Sequence, residues 1–118
     1  MREILFRGKD IKEHWHIGLL AHIGNAWYIS NSAGIPTACE VIPSAIGEYT
    51  GLKDKNDKMI FEGDIVLLKN DEEPYQVAFD ECCFQVYSHS VCYVMDNFYD
   101  HDIEVIGNIH DNPELLEG

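Results

Sequence analysis

After Lys69 this chain contains no lysine and no arginine. Residues 1–60 hold seven basic and seven acidic side chains, which cancel, whereas residues 61–118 hold one and fourteen, so the net charge of −13 belongs to the second half. An acidic potential of several kT over that half repels a phosphate backbone, which argues against direct nucleic-acid binding as a primary role. No apolar run approaches the roughly 18 residues of a membrane span. The opening Met1-Arg2-Glu3-Ile4-Leu5-Phe6-Arg7 turns polar too soon for a signal-peptide core, so a cytoplasmic protein is expected. Cysteine is sparse. Cys39, Cys82, Cys83 and Cys92 would permit two disulfides by number, but in such a setting free and mostly buried thiols are expected.

What is present fits one folded domain. A chain of 118 residues with 46% hydrophobic and 11% aromatic content can bury a single core. Glu3–Arg7, Trp15–Leu20 and Ala26–Ile29 read as strands, separated by turns at Gly8-Lys9-Asp10 and His22-Ile23-Gly24-Asn25. Residues 1–40 are therefore expected to form an N-terminal β-meander, with Asn31–Ala38 as a loop. Glu40–Pro43 is a brief extended piece, and Ser44–Gly47 a helical turn beginning at Ser44. Tyr75–Phe79, Phe84–Tyr87 and Val91–Met95 alternate as half-buried strands do, which predicts a hairpin with Cys83 opposite Cys92. Asp96–Asp102 is an acidic, aromatic connection. Ile103–Ile109 reads as a closing strand bulged at Gly107, and Asn112-Pro113-Glu114 as the start of a short C-terminal helix carrying Leu115 and Leu116.

Gly47–Leu68 orders the remainder. Thr50-Gly51 and Lys53–Asp57 combine a glycine with Asp and Asn side chains that bond their own backbone, which describes a tight loop. Ile60-Phe61 resumes an apolar run, Glu62-Gly63-Asp64 interrupts it, and Ile65-Val66-Leu67-Leu68 is a buried segment of strand length. Gly63 is expected where the backbone bends sharply or passes close to another strand. A Glu-Gly-Asp triplet feeding a strand also suits a small barrel. The expected architecture is mainly β: a small antiparallel, partly open SH3-like barrel over residues 41–118, with the meander before it and a short helix after it.

The run Tyr49-Thr50-Gly51-Leu52, then Asp54, then Ile60-Phe61-Glu62-Gly63-Asp64-Ile65-Val66 closely resembles the signature of the YopX family of phage and prophage proteins. Asp57 stands where that signature commonly has glycine, a change a left-handed turn tolerates. The opening Phe-Arg-Gly-Lys run and the stretch Glu104–Leu116 are similar to the family as well. The resemblance implies a phage or prophage setting and no particular chemistry. On it rest the candidate binding residues Tyr49, Thr50, Gly51, Asp54, Glu62, Gly63 and Asp64.

Several constellations invite a chemical reading. Asp54, Glu62 and Asp64 surround one glycine, but turn chemistry alone demands those residue types. His14 and His16 would share a strand face, with His22 or a carboxylate as a third metal ligand; the plainer alternative is a half-exposed surface with Trp15 turned to the core. Cys82 or Cys83 with His89 and Cys92 lacks zinc-ribbon or zinc-finger spacing. No catalytic residue, metal or cofactor is assigned. The leading expectation is a non-enzymatic module whose acidic surface meets a basic host or phage protein, in one version by mimicking nucleic acid. A metal-dependent enzyme using the Asp, Glu and His sets is the alternative, and self-association through strand edges or Leu115 and Leu116 a third.

Overall fold

In a computed structural model, the described residues are 4–30, 38–80, 83–88, 91–95 and 98–117. They form a mainly β protein of antiparallel strands in two sheets. The chain divides into two compact units, Met1–Tyr49 and Thr50–Gly118.

In the first unit the strands are β1 (Phe6–Lys9), β2 (Trp15–Ile23), β3 (Ala26–Ser30), β4 (Ala38–Val41) and the beginning of β5 (Gly47–Lys53), in the order β4-β3-β2-β1-β5. Gly24 and Asn25 join β2 to β3, with Ile23 opposite Ala26 and Gly24 at φ 62, as a hairpin with glycine first in a two-residue loop requires. Ile29 and Val41 bury one face of the sheet. The turn before β2 is closed by the Asp10 carboxylate, which accepts the N–H groups of Lys12 and His14 at 2.8 and 3.0 Å. Trp15 does not enter the core. It is half-buried, with the Arg7 guanidinium 4.8 Å and the Lys9 ammonium 5.6 Å from its ring centroid, close enough for cation–π attraction. The expected turn at Ser44 is a 3-10 turn over Pro43–Ala45, because proline fits the first helical position. The loop predicted for Asn31–Ala38 lies outside the described residues up to position 37, as does Glu3 of the first predicted strand; Ala38 already belongs to β4.

The second unit continues β5 and adds β6 (Met59–Phe61) beside it. Its five-stranded sheet has the order β10-β9-β8-β7-β11, from β7 (Asp64–Leu68), β8 (Tyr75–Asp80), β9 (Cys83–Tyr87), β10 (Cys92–Val94) and β11 (Ile103–Asn108). The apolar run after Gly63 is indeed a buried strand, with Ile65 and Val66 fully enclosed and Leu68 buried. Ile60, Val66, Tyr75, Val77, Val86, Met95 and Ile103 make one core with Leu68 and Phe84. The register of β11 on β7 shifts between Val105 and Gly107, which is the bulge expected there.

The C-terminal helix is replaced by a single 3-10 turn, Pro113–Leu116, and no α-helix occurs among the described residues. Asn112 makes no side-chain cap on that turn. Its Oδ1 instead accepts the Asn108 N–H at 3.2 Å, while Asn108 Oδ1 accepts the N–H groups of His110 and Asp111 at 3.0 and 2.9 Å. The cap residue is thus spent on the turn behind it.

Gly63 sits at φ 94 and is buried. Its N–H donates to the Val77 carbonyl at 2.9 Å, and its carbonyl accepts the Ile109 N–H at 2.9 Å, so both polar groups tie the β6–β7 turn to neighbouring segments. Gly63→Val should therefore lower the urea midpoint with little change in slope, a loss of about 2 kcal/mol or more from strained backbone alone. An unchanged midpoint would show that the left-handed conformation is not required.

Candidate functional site

Three family-signature side chains, Thr50, Asp54 and Asp64, are occupied in bonds to the backbone of nearby turns and strands. Thr50 Oγ1 donates to the Ile60 carbonyl at 2.8 Å and accepts the Leu52 N–H at 3.1 Å, which pins β5 to β6. Gly51 supplies a φ of 88 within β5. Asp64, 1% exposed, caps the β6–β7 turn by accepting the Phe61 N–H on Oδ2 at 2.8 Å. Tyr49 is buried, and its N–H donates to the Leu5 carbonyl at 2.8 Å. Glu62 is half-buried at the turn beside Gly63.

Asp54 carries the densest arrangement. Its Oδ1 accepts the N–H groups of Asn56 and Lys58, both at 2.9 Å, and its Oδ2 accepts the Val105 N–H at 2.8 Å. Burial pushes its carboxyl toward the neutral form, but the bonds from Val105, Lys58 and Asn56 outweigh that and hold it below the ordinary carboxylate range. Asp57, in the same loop, takes φ 64, the left-handed conformation that glycine commonly supplies in the signature. Asp54 and Asp64 thus cap different turns, and among the described residues no three His, Cys, Asp or Glu side chains gather as metal ligands.

The histidine and cysteine sets are also dispersed. His16 Nε2 lies 2.8 Å from Asp10 Oδ2, and the exposed His14 lies 4.0 Å from the same oxygen. His16 and two backbone bonds bring the Asp10 carboxyl down to about 2, so this carboxylate serves its own turn. His22 stacks on Trp27 across the β2–β3 pair, with ring centroids 4.0 Å apart. Cys82 and His89 lie outside the described residues. Cys83 and Cys92 are not opposite one another: Cys83 pairs with Asp80 and Cys92 with Tyr87. The side chain of Gln85 meets both thiols, its Nε2 3.6 Å from Cys83 Sγ and its Oε1 accepting from Cys92 Sγ at 2.7 Å.

The sequence reading missed a cavity of about 370 Å³ on the outer face of the β8–β9 pair. Gln76 and Tyr87 are directly opposite in register and form part of its wall with Pro74 and Ser88, while Leu115 and Leu116 of the 3-10 turn supply more apolar lining. Glu73 and Glu117 are its two carboxylates. Among the described residues, no hydrogen bond or ion pair engages the side chains of Glu73, Gln76, Tyr87 or Glu117. The alternation of Tyr75–Phe79 signals an outward face, but only the β8–β9 register brings Gln76 and Tyr87 together.

Two antiparallel sheets and a signature that closes its own turns define a small all-β protein in which the most recognisable motif is architectural. The chain belongs to the YopX protein family, whose model matches residues 7–117. Its structure is similar to the crystal structure of protein EF1440 from Enterococcus faecalis, at 25% sequence identity and a TM-score of 0.65, with 98% of this chain and 99% of that chain covered. No curated protein matches the chain.

An architectural role for Asp54 has a pH signature. Its carboxyl ionises more readily folded than unfolded, so its contribution is present above its ordinary value of 3.8 and is lost as pH falls through the lower folded value. Asp54→Asn should destabilise by about 2 kcal/mol at neutral pH, because an amide NH2 then faces a backbone donor, and should flatten the acid limb of the stability curve. An acid limb of wild-type slope in the variant would refute this role.

Tyr75 gives a second handle. Its hydroxyl donates to Asp71 Oδ2 at 2.8 Å, and this bond, with burial, pushes its phenol up to about 12. The neutral phenol is favoured by folding, so the contribution is complete below the unfolded value near 10 and disappears as pH rises through about 12. Ultraviolet titration should resolve one late-ionising tyrosine, and Asp71→Asn should move it to lower pH; a profile identical in both proteins would contradict the assignment.

Proposed function

We propose that this protein is a non-enzymatic interaction module, encoded by a phage or prophage and working in the bacterial cytoplasm, whose acidic second unit docks on a basic host or phage protein. The observation that carries this reading is the partition of charge. Residues 50–118 hold sixteen acids against four lysines, a net charge of −12, whereas residues 1–49 are nearly neutral. Two of the four lysines are already engaged, Lys53 with Asp57 at 3.7 Å and Lys55 with Glu104 at 3.4 Å. Glu72, Asp80, Asp111, Glu114 and Glu117 are exposed. Carboxylates in this excess steer a basic partner and disfavour nucleic acid, and a nucleic-acid-binding protein fits such a surface.

The occupation of Asp54 and Asp64 by backbone donors leaves them little capacity for catalysis, which favours a binding role elsewhere on the second unit. Within the same reading the second unit is a small, partly open SH3-like barrel, a view supported by its antiparallel strand order and the bulge in β11. The test is affinity capture from phage-carrying bacteria at low salt. A basic protein should be retained near 20 mM salt and released near 300 mM, where screening shortens the range of exposed charges from about 20 Å to about 6 Å. Recovery of nothing above background at low salt would end the proposal.

A further inference from the structure

The cavity over the β8–β9 pair unites three properties. It has an apolar lining from Pro74, Tyr87, Leu115 and Leu116, it carries two carboxylates with no internal partner among the described residues, and its volume of about 370 Å³ lies at the lower end of the range for ligand sites. Glu73 and Glu117 place negative charge beside an apolar lining, which suits a ligand that is both cationic and apolar. No lysine or arginine is among the residues that line the cavity.

The backbone around the cavity narrows the choice of ligand. Gln76 and Tyr87 are paired with each other between β8 and β9, and Gln76 is paired with Ile65 as well, so an incoming chain cannot add there as another strand. It has to lie across the face and insert side chains. Gln76 and Tyr87 present an amide and a hydroxyl, without a partner among the described residues, that can meet its peptide groups.

We propose that this cavity is a docking site for a short segment of a basic partner protein, in which a bulky apolar side chain enters between Tyr87 and the Leu115-Leu116 turn while flanking lysine or arginine residues meet Glu73 and Glu117. The inference rests on the interaction-module reading and adds to it a place and a recognition rule. Net charge alone would attract any polycation to any part of the acidic unit. The cavity requires an apolar anchor with the cations, which converts general attraction into selection, since anchors in desolvated pockets carry most of the energy of such contacts.

The experiment is an amide-resonance titration of the isotopically labelled full chain with three capped tetrapeptides: Lys-Trp-Leu-Lys, Lys-Ser-Ser-Lys and Glu-Trp-Leu-Glu. The first should shift the resonances of Gln76, Tyr87, Ser88, Leu115 and Leu116, and the other two should leave those resonances in place. Tyr87→Ser, at a position 39% exposed and so tolerant of change, should abolish the preference for the first peptide over the second. The double variant Glu73→Gln, Glu117→Gln should weaken the first peptide about fivefold while keeping the site of the shifts.

If the two basic peptides bind equally and outside the cavity, the docking site is overturned and the acidic-module reading stands. Failure of both basic peptides to bind anywhere at low salt overturns the two together. Binding of the Glu-Trp-Leu-Glu peptide at the cavity as tightly as the first would replace the basic segment by an apolar ligand of any charge.

Discussion

A carboxylate that is 3% exposed holds the second unit together from its first loop to its last strand. Left unpaired there, the Asp54 charge would be strongly unfavourable, because burial removes the water that solvates it. Two backbone N–H groups of its own loop and one from Val105, 51 residues away, take the place of that water. The loop is reinforced by a backbone bond from the Lys55 N–H to the Ile103 carbonyl at 2.9 Å. Charge-assisted bonds are the stronger kind, and here one of them closes a span of 51 residues.

Gly63 performs a comparable task with its backbone alone. A residue with a β-carbon would resist φ 94, and the segment would then lose the geometry in which one peptide group faces Val77 and the other Ile109. Asp54 and Gly63 therefore act on the same closing region, one next to the start of β11 and the other just past its end. The bulge in β11 between Val105 and Gly107 falls between those two attachments. Once both ends are held, the strand accommodates the mismatch by an extra residue, which is the usual role of a bulge.

Much of this was readable from residue types. Gly-Asn between two apolar runs marks the β2–β3 turn, Asp and Asn mark the loop before β6, and the β-branched run after Gly63 marks the buried β7, since each depends on local chemistry. What depends on partners distant in sequence was not readable. Trp15 looks like a core residue until Arg7 and Lys9 are found over its ring. His14 and His16 look like a ligand pair until Asp10 is seen to serve both. Asn112 looks like a helix cap, but Asn108 competes for it and the helix contracts to one 3-10 turn. Cys83 and Cys92 look paired if the hairpin is drawn symmetrically, whereas the observed register opposes Cys92 to Tyr87.

The same distinction bears on where function resides. A side chain whose hydrogen-bonding capacity is consumed by the fold has little left for a ligand, and the signature acids Asp54 and Asp64 are bonded to backbone N–H groups. Their chemical prominence in the sequence reflects the demands of two turns. Among the described residues, the side chains of Glu73, Gln76, Tyr87 and Glu117 line a cavity and keep hydrogen-bonding capacity, in positions that no short motif marks. Turn geometry tolerates few alternatives, so on the docking proposal the motif that identifies the family lies apart from the face that would receive a partner.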